Sequence, residues 1–255
     1  MDIFDSVLLG ALEGLTEFLP ISSTGHLILA SHLLSLPQTP YLKTFEITIQ
    51  LGSIAAVALL YWKQFLNFNM LLKLAVAFIP TGLVGLFLYP FIKETLVGNP
   101  AIVVVALIIG GIALLGIEKI YKAPKEETED PTSLSFKQSF IVGCAQALAV
   151  IPGVSRSGAT ISGGMLLGIS RGAILSFSFL LAVPTMFIAT AYDLYKNPDV
   201  LVGANLPPLV IGFLVAFVVG LVVIRYALRF VRKYTFVPFA IYRIILGMLF
   251  WLIVL

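Results

Sequence analysis

The stretch EGLTEFLPISSTGH, residues 13–26, places two carboxylates, several hydroxyl groups and a histidine close together in a strongly apolar chain. Glu13 and Glu17 are separated by four positions, so they share one face of the predicted first helix. Two acids in an apolar environment need compensation, and either a divalent cation held by both carboxylates or a proton shared between them would provide it. The pair predicts a functional site, and a buried pair that only hydrogen-bonds a neighbouring helix is the structural alternative.

A predicted turn with hydroxyl side chains follows the two acids. Pro20 ends the first helix, and SSTG leads into the N-terminus of the next, where free N–H groups and the helix dipole favour a phosphate. Ser22, Ser23 and Thr24 would add hydroxyl donors or a nucleophile, and His26 could act as base, acid or nucleophile. Helix capping would also explain hydroxyl groups at this place, but the neighbouring acids and histidine favour a site.

The segment PGVSRSGAT, residues 152–160, repeats the order of proline, polar turn and helix. Arg156 at its tip offers a planar set of donors that fits phosphate oxygens, and Ser155, Ser157 and Thr160 could surround the same anion. Alternatively, Arg156 pairs with a structural acid or extends to the membrane surface. If the two turns meet, they form one pocket suited to phosphoryl transfer or phosphate binding.

Other polar residues in apolar segments are weaker candidates. Glu46 and Gln50 share a helix face and could line the same cavity or hydrogen-bond between helices. Arg243 is expected to pair with such an acid rather than to contact a substrate. The sequence contains no P-loop, dinucleotide-binding or zinc-protease motif, and the single Cys144 excludes an intramolecular disulfide and a cysteine-based metal site.

The composition indicates an integral membrane protein. Hydrophobic residues make up 59% of the chain and charged residues only 11%, and the mean hydropathy is +1.04. Segments such as 101–117 and 206–224 carry no charge. The N-terminal segment lacks the basic region and cleavage site of a signal peptide, so we expect it to stay in the mature protein. The net charge of +3 does not suggest a nucleic-acid partner.

A weak internal repeat with an offset of 133 residues relates the two turns and the apolar segments that follow them. We therefore predict an all-α integral membrane protein with an inverted-topology repeat, about six transmembrane helices and two re-entrant helical hairpins. The predicted divisions are a first repeat at 1–122, a cytoplasmic linker at 123–135 and a second, inverted repeat at 136–255. Helices are predicted at about 3–19, 24–35, 44–62, 71–92, 100–121, 136–151, 158–168, 173–192, 206–231 and 236–255.

The distribution of lysine and arginine predicts the orientation of the chain. Most basic residues lie on the side of the linker, including Lys125 and Arg232, whereas Lys43, Lys93 and Lys196 lie on the opposite side. This bias places the linker in the cytoplasm and both termini on the outer side.

Five segments of the chain resemble the undecaprenyl-pyrophosphate phosphatase family, also called the bacitracin-resistance protein family. They are EGLTEFLPISSTGH, PGVSRSGAT, KTFEITIQLGS, SGGMLLGISR and FSFLLAVP. The resemblance covers essentially the whole chain. It implies hydrolysis of undecaprenyl pyrophosphate to undecaprenyl phosphate and inorganic phosphate, at an outward-facing site in the bacterial plasma (inner) membrane. This reaction recycles the lipid carrier of peptidoglycan synthesis and gives bacitracin resistance, and a divalent cation, Mg²⁺ or Ca²⁺, is the implied cofactor. The family motifs fall on Glu13, Glu17, Ser23, His26, Pro152, Gly153, Ser155, Arg156, Ser157 and Thr160.

The resemblance and the residues together predict a mechanism. Glu13 and Glu17 hold the cation, Arg156 and the hydroxyl groups bind the terminal phosphate, and Ser23 attacks or positions the attacking group. His26 transfers the proton. Attack by His26 itself, or by a cation-bound water, is equally open.

A transporter is the competing class, because inverted repeats with broken helices and charges near the membrane midplane are common in transporters. A flippase for polyprenyl phosphate could use the same arginine and hydroxyl turns to bind the headgroup. It would not need a nucleophile, a proton carrier and an acid pair together. In the enzyme, the prenyl chain would leave sideways between helices into the lipid. A homodimer is compatible with the sequence.

Overall fold

The structure, a computed structural model, describes residues 1–254 apart from 97–98, 125–127, 202–205 and 232. Lys125 and Arg232, used above to predict orientation, and part of the predicted linker lie outside the described residues. Within the described ranges the regular elements are all helical. The main helices are α1 (Ile3–Thr16), α2 (Ser23–Leu33), α3 (Pro40–Leu60), α4 (Phe68–Phe91), α5 (Pro100–Ile120), α6 (Phe136–Ala147), α7 (Arg156–Leu166), α8 (Arg171–Lys196), α9 (Leu206–Val231) and α10 (Val237–Val254).

Five helices in the described part of the chain, α3, α4, α5, α8 and α9, are long and apolar enough to cross a membrane. This confirms the prediction of an all-helical membrane protein with several spans. The segment Val237–Leu252 of α10, predicted as the sixth span, is apolar but shorter than these five.

Four short helices form two pairs, α1 with α2 and α6 with α7. They contain 14, 11, 12 and 11 residues, whereas a helix needs about 20 residues to cross the hydrocarbon core. Each pair is interrupted by one of the two polar turns. Helix α1 ends at Thr16, three residues before the predicted end, because Pro20 disfavours helical geometry in the residue before it and the chain turns there.

The helices of one half pack against helices of the other half. Helix α1 packs on α9 and α6 packs on α4, while α3 packs on α9 and α8 packs on α4. Helices α3 and α8 contact each other, as do α5 and α10. The counterparts in the two halves are α1 and α6, α3 and α8, α4 and α9, and α5 and α10. If each helix is replaced by its counterpart, the same set of contacts results.

Glycines allow the closest of these contacts. A Cβ atom at Gly10 of α1 would lie 2.5 Å from the carbonyl oxygen of Gly212 in α9, and one at Gly143 of α6 would collide with the carbonyl oxygen of Ala77 in α4. Helix backbones can approach this closely only where a side chain is missing, which is how helices commonly pack within membranes.

The C-terminal part of the linker packs on the helices. The Lys73 ammonium donates to the carbonyl oxygen of Thr132 at 2.8 Å, and Pro131 and Leu134 are buried. The hydroxyl and the N–H of Thr132 donate to the Asp130 carboxylate and lower its pKa. These contacts fix the entry into α6, so this part of the linker is more ordered than its polar composition suggests.

Candidate active site

The two polar turns have the same backbone geometry. Ser22 and Ser155 are offset by 133 residues and have φ angles of 70° and 74°, a left-handed conformation that is uncommon outside glycine. The Ser22 hydroxyl accepts a hydrogen bond from the Gly25 N–H at 3.2 Å, and the Ser155 hydroxyl accepts one from the Gly158 N–H at 3.0 Å. Both serines therefore cap a helix, so capping explains part of the hydroxyl cluster.

A buried cluster of three side chains joins the two halves. The Arg156 Nη2 atom donates to Glu17 Oε1 at 2.7 Å. The Ser23 hydroxyl donates to the other oxygen of the same carboxylate, Glu17 Oε2. Arg156 is 8% exposed, Glu17 4% and Ser23 6%. The structure thus brings the guanidinium of the second turn to a carboxylate and a hydroxyl group of the first, 139 residues away in sequence.

The remaining residues of the second turn hold Arg156 and the turn itself. Arg156 Nη1 donates to the carbonyl and hydroxyl oxygens of Ser178 at 2.7 and 3.1 Å. The hydroxyl groups of Thr160 and Ser178 lie 2.7 Å apart, and the Ser157 hydroxyl donates to the Leu19 carbonyl oxygen at 2.8 Å. Ser178 lies in the segment FSFLLAVP, which carries part of the family resemblance, but the sequence analysis gave this serine no role because its partner is 22 residues away.

Glu13 is fully buried beside Glu17 and Ser53. Neither of its carboxylate oxygens has a hydrogen-bond partner among the described residues. Glu17 has Arg156 as its counter-charge, so Glu13 is the member of the pair that needs a proton or a cation. In the described ranges no group of three or more histidine, cysteine, aspartate or glutamate side chains could hold a metal ion. Any cation here would therefore depend on the two carboxylates, with hydroxyl, water or substrate oxygens as further ligands.

His26 lies on the side of α2 that faces α10. Its Nδ1 atom is 2.7 Å from the Ser22 carbonyl oxygen, and its Nε2 atom is 2.8 Å from the Tyr242 hydroxyl oxygen. The two aromatic rings are nearly parallel, with an interplanar angle of 3°. A cavity, described below, opens from the cluster of Glu17, Ser23 and Arg156, and its described lining does not include His26. Ser23 therefore has Glu17 as its hydrogen-bond partner, whereas His26 contacts the Ser22 carbonyl of the first turn and Tyr242 of α10.

Arg243 corrects an expectation from the sequence. Instead of pairing with an acid, it donates to backbone carbonyl oxygens of both turns and of α5. Its guanidinium lies 3.2 Å from the Pro20 oxygen, 2.9 Å from that of Gly153, 3.0 Å from that of Val154 and 3.2 Å from that of Ala106. Pro20, Gly153 and Val154 lie in the turns, where their carbonyl groups are outside the regular helices, and a buried arginine has enough donors to satisfy them.

A cavity of about 660 Å³ opens from the buried cluster. Its polar end contains Glu17 and Arg156, with Ser22, Ser23, Thr24 and Ser155 beside them. Glu46 and Gln50, the weaker candidates from the sequence, also line it, whereas Glu13, Ser157 and Thr160 do not belong to its described lining.

Gln146 is a buried lining residue that the sequence analysis missed. Its amide nitrogen donates to the hydroxyl oxygens of Thr81 in α4 and Thr185 in α8, at 2.9 and 3.2 Å. It stands 133 positions after Glu13, so the second half has a neutral amide where the first has an acid. Its partners are 65 and 39 residues away in sequence, and no local pattern indicates such contacts.

Comparison with known proteins shows the family of the chain. The family model described as Bacitracin resistance protein BacA matches residues 6–249. The undecaprenyl-diphosphatase of Wolinella succinogenes is 52% identical over 251 residues, covering 98% of this chain and 97% of the relative. That of Sulfurihydrogenibium sp. is 50% identical over 252 residues, covering 99% of both chains. The protein of the same name from Aquifex aeolicus is 45% identical over 251 residues, covering 98% of both.

Proposed function

The chain belongs to the bacitracin resistance protein BacA family, and we propose that it is an undecaprenyl-diphosphatase. It hydrolyses undecaprenyl diphosphate to undecaprenyl phosphate and inorganic phosphate, which recycles the lipid carrier of peptidoglycan synthesis and gives resistance to bacitracin. One observation supports this proposal above all: Glu17, Ser23 and Arg156 meet in a cavity that is also lined by apolar side chains such as Ile79, Leu83 and Ile188. Such a cavity matches a substrate with a diphosphate at one end and a hydrocarbon chain at the other.

Arg156 binds the terminal phosphate. Its guanidinium is fixed by Glu17 and Ser178, and its Nε atom has no acceptor among the described residues. A planar guanidinium with a donor to spare suits a phosphoryl group whose charge spreads over several oxygens. Ser22, Thr24 and Ser155 line the cavity next to it and offer further hydroxyl groups.

Ser23 attacks the terminal phosphorus atom, and Glu17 takes the proton. The Ser23 hydroxyl already donates to Glu17, so the proton moves along an existing hydrogen bond as the Oγ–P bond forms. The bond to the bridging oxygen breaks, and undecaprenyl phosphate leaves. A water molecule then attacks the phosphoserine, its protons stay on the released phosphate, and Glu17 returns its proton to Ser23. Proton transfer by His26 stays a prediction, and in this geometry Glu17 is the better-placed base.

Glu13 and Glu17 would hold a divalent cation, Mg²⁺ or Ca²⁺. The support is the Glu13 carboxylate, which is fully buried and has no hydrogen-bond partner within the described structure. Carboxylate oxygens are the ligands that both cations prefer. When bound, the cation would neutralise part of the negative charge on the diphosphate.

We propose that the two halves form an inverted-topology repeat with two re-entrant hairpins and six spans. The equal geometry at Ser22 and Ser155 and the symmetric helix contacts support it. The active site and both termini face outward from the plasma membrane, and the linker faces the cytoplasm, as the basic residues indicate. In protein that also carries Cys144→Ala, which removes the exposed native thiol, a membrane-impermeant maleimide should then label Asp2→Cys in intact cells but Lys122→Cys only after permeabilisation, and the reverse pattern would refute this orientation. A homodimer stays a prediction.

The activity can be tested by phosphate release from undecaprenyl diphosphate with the purified protein in detergent. We expect release that a chelator abolishes, loss of release in Ser23→Ala, and normal release in the control Ser6→Ala, which removes a hydroxyl from α1 away from the cavity. Absence of release by folded wild-type protein would refute the enzyme. Lipid flipping in vesicles would then be the function to measure.

A further inference from the structure

Gln146 carries a hydrogen-bond acceptor that the proposed reaction has not yet used. Its side chain is buried and lines the cavity, and its amide oxygen has no hydrogen-bond partner among the described residues. A buried acceptor of this kind is costly unless a donor reaches it. We propose that this oxygen holds the water molecule that hydrolyses the phosphoserine at Ser23, a role that rests on the proposed function.

The surroundings of Gln146 fix the orientation of its amide group. The Thr81 hydroxyl donates to the Gly143 carbonyl oxygen at 3.3 Å, and the Thr185 hydroxyl donates to the Leu181 carbonyl oxygen at 2.7 Å. Each hydroxyl has a single proton, so both threonine oxygens can only accept from Gln146. The amide NH₂ group therefore points to the two threonines, and the amide oxygen is directed elsewhere.

The chemistry of the reaction decides which donor this oxygen takes. The ionised diphosphate presents only acceptor oxygens, and the hydrocarbon chain presents no donor. The cation is assigned to the acid pair of the first half. Water is the reactant that can donate to an amide oxygen, and a glutamine orients the attacking water in GTPases as well.

The relation between the two halves places Gln146 near Ser23. An offset of 133 residues leads from Glu13 to Gln146 and from Ser23 to Arg156. Glu13 lies within electrostatic range of Arg156, so the corresponding pair in the other half is Gln146 with Ser23. Both residues of this second pair line the same cavity. A neutral amide at this position can bind water without repelling the phosphoserine, as a carboxylate would.

The bound water attacks in the second chemical step alone. It donates one hydrogen bond to the Gln146 amide oxygen, and its lone pair forms the new bond to phosphorus as the bond to Ser23 Oγ breaks. Glu17 returns its proton to Oγ, and the protons of the water leave with the inorganic phosphate. The amide gains and loses no proton, so it acts by positioning the water.

Gln146→Met should separate the two chemical steps, because methionine keeps the length of the side chain but has no amide oxygen. With undecaprenyl diphosphate in a rapid-quench experiment, the first release of undecaprenyl phosphate should stay within about threefold of wild type. Phosphate release should slow by about 10- to 100-fold, since misplacing a reactant costs this much. Mass spectrometry should then find phosphoserine at Ser23 accumulating in the variant and not in wild type.

Thr185→Val tests the orientation of the amide with little change in shape. It removes one of the two oxygens that hold the Gln146 NH₂ group, so phosphoserine should accumulate to a smaller extent. Thr190→Val is the matched control in the same helix. Thr190 is also buried and donates to a backbone carbonyl, that of Ile47, at 3.3 Å, but it does not belong to the described lining of the cavity. Its kinetics should match wild type.

The outcomes separate this role from the proposed function. Equal slowing of both products without phosphoserine in Gln146→Met and Thr185→Val, or equal accumulation in Thr190→Val, would overturn the water site while the phosphatase stands. If Gln146→Met does not fold, the difference between the two threonine variants decides. Absence of both products with folded wild-type protein would refute the proposed function, and the role of Gln146 with it.

Discussion

At the scale of single residues, Glu17 connects the chemistry of both halves. One carboxylate oxygen accepts from Arg156 and the other from Ser23, so the acid is fully paired although it is buried. Removing one partner of a buried ion pair typically costs about 3–5 kcal/mol because a charge is left uncompensated. A variant at this position must therefore be checked for folding before a loss of activity is assigned to catalysis.

Glu13 is the residue whose environment most needs an additional ligand. We expect Glu13→Gln to fold normally, because the buried Gln146 shows that an amide is accepted at the corresponding position of the second half. Its phosphate release should fall by about 100-fold or more. Wild-type protein should gain thermal stability on addition of Mg²⁺ or Ca²⁺, as expected for any ligand of the native state, and Glu13→Gln should not.

Glu46→Gln is the matched control for that measurement. Glu46 is also buried in the cavity wall and has one unpaired carboxylate oxygen within the described structure, so its loss should leave the cation-induced stabilisation unchanged. An undiminished cation effect in Glu13→Gln would contradict the assignment of the cation to this acid pair.

Arg243 positions the two turns through their carbonyl groups. We expect Arg243→Met to lower kcat by about tenfold or more and to lower the thermal midpoint, because each buried carbonyl left unpaired costs about 1–3 kcal/mol. Arg243→Lys should recover part of kcat, since an ammonium group can still donate to some of these oxygens. The comparison variant Arg171→Met removes the pair with Glu118 and should reduce stability with kcat unchanged. Equal kcat in Arg243→Met and wild type would show that Arg243 does not position the turns.

Among single residues, those with a motif could be predicted and those with only distant partners could not. The sequence predicted that Arg156 shares a pocket with the first turn, because broken elements of an inverted repeat usually meet, and it left open that Arg156 pairs with an acid, which it does with Glu17. The partner expected for Arg243 was wrong, since backbone carbonyl groups left free by a turn cannot be recognised from side-chain types.

At the scale of helices, close backbone contacts hold the short helices α1 and α6 in place. We expect Gly10→Leu to destabilise the protein by about 3 kcal/mol or more, because its side chain would collide with the backbone of Gly212 rather than with a movable side chain. Thermal unfolding in detergent can measure this effect. Gly116→Leu is the comparison variant, because a Cβ atom at this helical glycine would have no other atom within 4 Å among the described residues. A similar midpoint for the two variants would mean that α1 and α9 can separate without cost.

Helix positions were predictable from apolar length, and helix ends were less so. Helix α3 begins at Pro40, with Thr39 as its cap, about four residues before the predicted start, because proline is tolerated in the first turn of a helix. Helix α8 continues to Lys196, beyond the predicted end at 192. Its C-terminal part includes Tyr192 and Asp193, which line the cavity.

At the scale of the whole molecule, the two halves are incomplete without each other. The first half supplies a carboxylate and a hydroxyl group, and the second supplies the guanidinium that neutralises the carboxylate, from a position 139 residues away. In lipid, apolar burial between helices contributes little, so glycine contacts and buried polar pairs must hold the halves together. The site is therefore also part of what stabilises the fold.

The central claim is that Glu17 and Arg156 act as one unit in one active site, and a double-mutant cycle on phosphate release tests it most directly. Glu17→Gln, Arg156→Lys and the double variant would be compared by kcat/KM, with Glu118→Gln and Arg171→Lys as the control cycle at the other ion pair. We predict that the double variant loses about as much activity as the worse single variant, because residues that act together are not additive. The control cycle should leave kcat/KM nearly unchanged. If the fold losses of kcat/KM in the two single variants multiply to give the loss in the double variant, Glu17 and Arg156 act independently, and that result would contradict a shared site.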